Sequence, residues 1–433
     1  MMDIKKKVHK LEYYRWVVWG TLFLIFPVVH LQRQALGVVR EELVGAFGLT
    51  SVAFASIGSI YFYVYAFMQI PAGLLADTLG VRLTVTIGMV LAGTGSVLFG
   101  LAPNIYALYI GRFLVGLGVS VVFVSIMKAQ AQWFRESEFG TLTGLTGFVG
   151  NVGGILAQTP LAFLVVLLTW RISFVAIGIF TLLLAIICYL LVRNNPVDMG
   201  FAPVYKPAIE HTNNVKGEKL RFKRGLKTVF GNPGTWIAFF IFLGFNSGFI
   251  VLVSIWGTSY IVDVYGLAKV EAANYILMMV VGAALGAMVI GWISDHIRRR
   301  KLPMLLFGGL NVLCWFYLVI VCGAKPPATV LMLLLFILGF SSMAFILSHA
   351  WAKEVNPIEL SGTATAVVNV GGFVGAAIVP LILGLVFDKY GSVFPAVLVY
   401  KYAFMICLGF SVFAFICTFI IKESYCRNIF ISS

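Results

Sequence analysis

Long apolar runs recur along the 433-residue chain, and short polar segments separate them. The composition agrees with this pattern, since 61% of the residues are hydrophobic and only 11% are charged. An α-helix needs about 20 mostly apolar residues to cross the hydrocarbon core of a bilayer. The sequence therefore predicts an all-α, polytopic membrane protein.

Polar, charged or Gly/Pro-rich interruptions divide the chain into twelve predicted transmembrane helices. The first six are predicted at 16–38, 53–76, 82–101, 104–132, 138–164 and 170–192, and the last six at 234–262, 268–294, 302–322, 327–353, 360–386 and 396–421. We thus expect an amino-terminal six-helix bundle at 1–192, a cytoplasmic central loop at 193–233 and a carboxyl-terminal six-helix bundle at 234–433.

The cations that give the net charge of +14 lie mainly between the helices or at the terminus, at 5–10, 206–227 and 297–301. Cytoplasmic loops of membrane proteins carry such an excess of Lys and Arg. The pattern predicts that both termini face the cytoplasm of a bacterial plasma membrane. It also argues against nucleic acid as a partner, because the cations are spread by topology and not gathered on one folded face.

The two halves resemble each other. GLLADTLGVR at 73–82 follows the second predicted helix and GWISDHIRRR at 291–300 follows the eighth, which pairs Gly73 with Gly291 and Asp77 with Asp295. FGTLTG at 139–144 and SGTATA at 361–366 open the fifth and eleventh predicted helices. Two six-helix repeats in the same sense predict a pseudo-two-fold axis along the membrane normal and a central binding site.

The 73–82 motif, its position and the repeat together resemble the major facilitator superfamily. The motif of that family is matched by Gly73, Leu75, Asp77, Gly80 and Arg82. The resemblance implies secondary transport, and it implies that Asp77 and Arg82, with Asp295 in the second half, act as a conformational latch at the cytoplasmic ends. A solvated turn stabilised by Gly80 is the alternative for this loop.

Two further segments refine the resemblance. GRFLVGLGVS at 111–120 is similar to a conserved element of the family, which leaves Arg112 as a structural anchor or a coupling residue. The region 61–82 resembles a group of bacterial permeases and, more loosely, organophosphate antiporters that hold phosphate with two arginines. The seventh predicted helix contains no cation, so a bidentate two-arginine clamp is not expected here.

Charged residues inside a membrane are costly unless they face a cavity or a partner. Arg33 and Lys128 are the deep cations of the predicted helices, and no Asp or Glu falls in a predicted helix interior. Deep cations without acidic neighbours favour an anionic substrate. The alternative is that Arg33 extends to the outer face and Lys128 to the cytoplasm.

Other polar residues complete the predicted binding site. Tyr61, Tyr65 and Gln69 recur at four-residue spacing and share one helix face, although packing between helices would explain the tyrosines equally well. Further candidates, for which interhelical hydrogen bonds are the alternative, are Gln34, Asn151, Trp256 and Asn369. His30 and His349 are candidates for both substrate binding and proton coupling.

These observations predict a monomeric secondary transporter, such as a symporter, that moves a small organic anion of the carboxylate or sugar-acid type by alternating access. The expected partners are the lipid bilayer, the substrate, and a coupling proton or counter-substrate, without cofactor or metal. Neutral or zwitterionic solutes are the alternative substrates. An enzyme is not expected, because HExxH and GxSxG motifs do not occur, and a non-transporting sensor is a remote alternative.

Overall fold

The computed structural model describes residues 2–200, 225 and 227–430, and the regular structure in these residues is helical throughout. Most of the predicted central loop, including most of its basic stretch at 206–227, lies outside the described residues. A helix satisfies its backbone hydrogen bonds within itself, which is why apolar segments that meet lipid take this form.

The helices before the central loop are α1 to α9. Their bounds are α1 Met2–Gln34, α2 Arg40–Phe47, α3 Ser51–Phe67, α4 Gln69–Gly100, α5 Ile105–Ser120, α6 Val122–Trp133, α7 Glu136–Leu156, α8 Thr159–Leu168 and α9 Trp170–Leu191. A 3₁₀ segment, Ala35–Val39, joins α1 to α2.

The helices after the central loop are α10 to α17. Their bounds are α10 Pro233–Ile250, α11 Gly257–Tyr265, α12 Lys269–His296, α13 Lys301–Phe316, α14 Ala328–Ser342, α15 Ile346–Glu354, α16 Ser361–Tyr390 and α17 Ala396–Ile420. A π-helical segment, Val251–Trp256, joins α10 to α11.

Within the described residues, eleven helical stretches are long and apolar enough to cross a membrane. The predicted second helix at 53–76 is not among them, because α3 ends at Phe67 and Met68 separates it from α4. α4 in turn contains the end of that helix and all but the last residue of the third predicted helix, with a sharp break at Gly80. The twelve-helix count and the cytoplasmic termini stay predictions.

The chain forms two compact units. Unit 1 contains Met1–Arg33 and Phe67–Thr212, and unit 2 contains Gln34–Ala66 and Asn213–Ser433. Within unit 1, α4 packs along α5 and α9. Within unit 2, α10 packs along α16 and α17, and α12 packs along α14. The boundaries of the two sequence repeats, at 192 and 234, stay a prediction.

A buried polar network ties three helices of unit 2 together. Asn311 of α13 donates to Ser342 Oγ of α14 at 3.0 Å, and Ser411 of α17 donates to Asn311 Oδ1 at 2.7 Å. These side chains are at most 1% exposed. Buried polar groups that are hydrogen-bonded in this way fix the register of neighbouring helices.

Candidate functional site

The polar cluster of α1 lies deep within a membrane-spanning stretch. His30 stands at the middle of the 35-residue stretch Tyr13–Phe47, and Arg33 follows in the last turn of α1. Arg33 is half-buried. A cation so far from both ends of its span needs a polar environment inside the protein.

Two glycines of α7 allow α1 to approach closely and thereby position His30. A Cβ added at Gly153 would lie 2.7 Å from Pro27 Cα, and one added at Gly150 would lie 2.8 Å from His30 Cε1. The His30 ring also meets Phe26 edge-on, with ring centroids 4.7 Å apart. The imidazole is therefore held between its own helix and α7 of unit 1.

Several buried polar atoms of this cluster lack a hydrogen-bond partner within the described part of the chain. They include Oε1 of Gln32 and Oε1 of Gln34, whose side chains are 3% and 5% exposed, respectively. Leaving such a group buried and unsatisfied costs about 1–3 kcal/mol. An ordered water or a bound ion is the usual partner for buried atoms of this kind.

Arg112 anchors α5 to α1. The residue is 1% exposed, and its Nη1 donates to the carbonyl oxygen of Gln32 at 2.8 Å. Gln32 in turn donates from Nε2 to Thr181 Oγ1 of α9 at 2.9 Å. This geometry supports the alternative that Arg112 is a structural anchor. Gln32 was not a predicted site residue, and its hydrogen bonds help to fix the position of the polar cluster.

The expectation that Lys128 has no acidic neighbour is wrong. Its Nζ lies 2.8 Å from Asp77 Oδ1 and also donates to the carbonyl oxygen of Ala76 at 2.8 Å. The charge of Lys128 is thus matched within unit 1, in the middle of the 73–82 motif. The basis for assigning this lysine to an anion site is thereby removed.

The remaining candidates of unit 1 are placed as follows. Asn151 donates from Nδ2 to the carbonyl oxygen of Gly147, one turn earlier on α7, at 3.1 Å. Gln69 is half-buried and begins α4, after the break at Met68. The predicted helix face shared by Gln69, Tyr61 and Tyr65 stays a prediction.

Tyr61 and Tyr65 are buried within unit 2. The Tyr65 ring stacks on Phe373 of α16 at a centroid distance of 4.3 Å, and it lies 6.0 Å from the Tyr61 ring. The side chains are 0% and 5% exposed, respectively. Their surroundings support the alternative of packing between helices.

His349 and Asn369 lie together in unit 2, as a hydrogen bond joins their side chains. The His349 ring also meets Phe242 edge-on, with centroids 4.7 Å apart. Trp256, by contrast, is fully buried and donates its indole N–H to the carbonyl oxygen of Pro380 at 3.3 Å. The indole therefore has a packing role in the described structure.

The two units repeat the arrangement around His30. In unit 1, Gly150 faces the rings of Phe26 and His30; in unit 2, Gly372 faces the ring of Phe242, and its carbonyl oxygen accepts from Asn246 Nδ2 at 3.0 Å. Asn246, four residues after Phe242, thus takes the place that His30 takes four residues after Phe26. This position therefore holds a titratable residue, His30, in unit 1 and a neutral amide, Asn246, in unit 2.

The predicted latch residues of unit 1 are held by local contacts. Gly80 has a φ of 78° and a ψ of 165°, a conformation that non-glycine residues rarely adopt. Its neighbour Arg82 donates from Nε to the carbonyl oxygen of Tyr189 at 2.8 Å, and the Arg82 backbone N–H donates to Asn194 Oδ1 at 3.0 Å. Gly73 is half-buried within α4. A latch role for these residues stays a prediction.

Asp295 belongs to a charged triad of unit 2. Arg300 Nη1 lies 2.6 Å from Asp295 Oδ1, and Arg300 Nε lies 3.0 Å from Glu354 Oε1. Burial by itself lowers the pKa of the Arg300 guanidinium, but the hydrogen bond with Asp295 and the charge of Glu354 outweigh burial and raise that pKa. The guanidinium therefore stays charged.

The segments after α9 and after α17 repeat one another. Trp133 donates its indole N–H to the carbonyl oxygen of Arg193, and Trp351 donates to that of Lys422. The next residue caps a helix in each unit: Asn194 accepts from the backbone of Arg82, and Glu423 accepts from the backbone of Arg300 at 2.7 Å. The two copies of the sequence motif, at 73–82 and 291–300, are therefore held by equivalent hydrogen bonds in the two units.

Comparison with known proteins decides the family. The family model of the Major Facilitator Superfamily matches residues 17–321 and 275–425. The chain belongs to the Major Facilitator Superfamily. It is accordingly a multi-pass transporter of the bacterial cytoplasmic membrane and not an enzyme.

Similar proteins agree with this assignment. The chain is 25% identical over 423 residues to the uncharacterized transporter YybO of Bacillus subtilis, covering 94% of this chain and 96% of YybO. It is also 25% identical over 417 residues to the hexuronate transporter of Bacillus subtilis, covering 91% of each chain. A crystal structure of a bacterial homologue of the human lysosomal transporter Spinster has the same fold, with a TM-score of 0.77 at 18% identity over 94% of this chain and 97% of that one.

Proposed function

We propose that this transporter is a secondary carrier that moves a small organic anion, of the carboxylate or sugar-acid type, by alternating access. The observation that carries the proposal is the pair of groups near the middle of the first span. The His30 imidazole lies against Gly150 of α7, and the half-buried guanidinium of Arg33 lies three residues later. Residues at this spacing lie on the same side of a helix.

The chemistry of these groups suits a carboxylate. A guanidinium offers a planar fork of N–H donors that fits the two oxygens of a carboxylate, and the imidazole can donate or accept a hydrogen bond to a neighbouring hydroxyl. The similarity to a hexuronate transporter supports the same substrate class. Lys128 is not included, because Asp77 neutralises it.

Uptake by proteoliposomes tests the proposal. We expect radiolabelled D-glucuronate to be taken up and D-glucose to be excluded. Arg33→Ala removes the guanidinium while leaving α1 helical, so uptake of the acid should fall at least tenfold. Arg135→Ala, which removes an exposed cation at the start of α7, is the matched control and should transport normally.

Two results would oppose the proposal. Equal uptake of D-glucose and D-glucuronate would favour a neutral substrate. Wild-type uptake by folded Arg33→Ala would show that the anion is bound elsewhere.

A further inference from the structure

The end of α12 in unit 2 adopts a backbone conformation that its sequence does not favour. The backbone N–H of Arg299 donates to the carbonyl oxygen of Ser294 at 3.1 Å, and that of Arg298 donates to the carbonyl oxygen of Asp295 at 3.3 Å. This is the Schellman pattern of a helix end, in which one residue is left-handed and is usually glycine. Here that residue is Arg298, with a φ of 52°.

The equivalent position of unit 1 holds a glycine. The pairing of Gly73 with Gly291 places Arg298 opposite Gly80, and Gly80 has a φ of 78°. A non-glycine residue at a positive φ is strained, and strain of this kind is found where the side chain has a function. Unit 2 thus keeps an arginine at a position where glycine would relieve the strain.

Two arginines at this helix end have no acidic partner in the described part of the chain. Arg298 and Arg299 are both exposed, and neither guanidinium takes part in an ion pair or a side-chain hydrogen bond with a described residue. Arg300 differs from them, because Asp295 and Glu354 match its charge. The end of α12 therefore presents two adjacent positive charges that the described protein does not neutralise.

A stacked pair of rings lies beside these charges. The rings of Trp292 and His296 are 5.2 Å apart between centroids, and their planes differ by 15°. Trp292 is 66% exposed. Tryptophans of membrane proteins are enriched where the hydrocarbon core meets the lipid headgroups. The exposed indole therefore places the headgroup level about two helical turns before Arg298.

The same face of α12 continues as an exposed apolar surface. Leu285 and Met288 are exposed, and spacings of three and four residues keep them on the same side of the helix as Trp292. They belong to the membrane-spanning stretch Lys269–His296, where exposed apolar side chains meet acyl chains. One lipid molecule can therefore lie along this face and reach the two arginines with its headgroup.

We propose that the end of α12 is a binding site for an anionic phospholipid of the phosphatidylglycerol type. Arg298 and Arg299 bind the phosphate, whose oxygens match the N–H donors of a guanidinium, while Trp292 and the apolar face contact the acyl chains. On the predicted orientation this end of α12 faces the cytoplasm, where anionic lipids attract basic residues. The arginine gives unit 2 a lipid contact that Gly80 does not provide in unit 1.

Native mass spectrometry of the detergent-purified protein tests this site. The Kd of the first bound lipid is measured for phosphatidylglycerol and for phosphatidylethanolamine, whose ammonium compensates the phosphate charge. We expect phosphatidylglycerol to bind about tenfold more tightly. A basic residue near an anionic headgroup contributes about fivefold in affinity, so Arg298→Ala/Arg299→Ala should weaken phosphatidylglycerol binding about 25-fold.

Two controls isolate the site and its ligand. Lys325→Ala/Lys389→Ala removes two exposed cations elsewhere in unit 2 and should leave the Kd unchanged. Glycerophosphoglycerol, the same headgroup without acyl chains, should bind at least about tenfold more weakly than the lipid, because it leaves the apolar face uncovered. Equal binding of this soluble headgroup would mean that a free phosphate ester occupies the arginines, and equal Kd values for the two lipids would mean that charge is not recognised. Either result would overturn the proposal.

Arg298→Gly separates lipid binding from stability. It removes one positive charge and relieves the left-handed strain, so it should weaken phosphatidylglycerol binding about fivefold and raise the midpoint of thermal unfolding in lipid-free detergent. An arginine with only a structural role would give the opposite result, an unchanged lipid affinity and a lower midpoint. That outcome, or wild-type affinity in folded Arg298→Ala/Arg299→Ala, would overturn the site. No transport substrate is present in these measurements, so they are independent of the proposed function.

Discussion

Gly153→Ala should destabilise the protein because it forces α1 and α7 apart. The added Cβ would lie 2.6 Å from Pro27 C and 2.7 Å from Pro27 Cα, whereas carbon atoms in contact normally lie about 3.5–4.0 Å apart. The obstacle is backbone, so rotation of a side chain cannot relieve it. The helices must separate by about 1 Å, and overpacking of this kind costs about 1–3 kcal/mol.

Helix propensity opposes part of this cost, and a control on the same helix isolates the steric effect. Alanine is favoured over glycine by about 1 kcal/mol in a helix interior. Gly144→Ala gains the same propensity, but a Cβ at Gly144 has no atom within 4 Å. Gly153→Ala should therefore be less stable than Gly144→Ala by about 1–3 kcal/mol.

This difference in stability is measured by unfolding the two variants in detergent. Thermal melting and denaturant titration both report the unfolding midpoint. The midpoint of Gly153→Ala should lie clearly below that of Gly144→Ala, and the midpoint of Gly144→Ala should equal or exceed that of the wild type. Coincident curves for the two alanine variants would refute the close approach of α1 and α7, and with it the positioning of the polar cluster.

Three further variants probe the site and its surroundings. Gly150→Ala displaces the imidazole that faces it and should raise the Kd for D-glucuronate about tenfold. Gly147→Ala, with open space around the added methyl group, should leave that Kd unchanged. Equal Kd values for the two variants in titration calorimetry would contradict this prediction. Asn311→Ala removes the acceptor of Ser411 and should lower the free energy of unfolding by about 1–3 kcal/mol; an unchanged unfolding midpoint would show that the network is dispensable. Lys128→Met should leave the Kd for D-glucuronate within about twofold of wild type, and a large loss of affinity would return this lysine to the anion site.

The sequence was sufficient to predict the helical membrane fold, because long apolar runs and the cost of unpaired backbone groups in lipid leave few alternatives. The repeat of Asp77 and Asp295 was equally visible, since both follow the same glycine-rich pattern. The family was identified from that pattern, and the family model confirms it.

The partners of individual charges could not be predicted in the same way. Lys128 was expected deep in its helix and Asp77 at a cytoplasmic end, but the packing of α6 against α4 brings their side chains together. Asp388 and Ser51, whose backbone N–H donates to the Asp388 carboxylate, are more distant still, being 337 residues apart. The break at Met68, by contrast, has a local cause in the sequence, because Pro71 has no N–H group to donate to the carbonyl oxygen of Phe67, the last residue of α3.

Binding of an acid and its neutral counterpart tests the central claim, that Arg33 recognises the charge of the substrate. The Kd values of D-glucuronate and D-glucose are measured by titration calorimetry for the wild type and for Arg33→Ala. A hydrogen bond to a charged group contributes about 1.5–3 kcal/mol, so the wild type should prefer the acid by about 10-fold to 150-fold. Arg33→Ala should lose this preference while it stays folded. A preference for D-glucuronate that survives in Arg33→Ala would contradict the account.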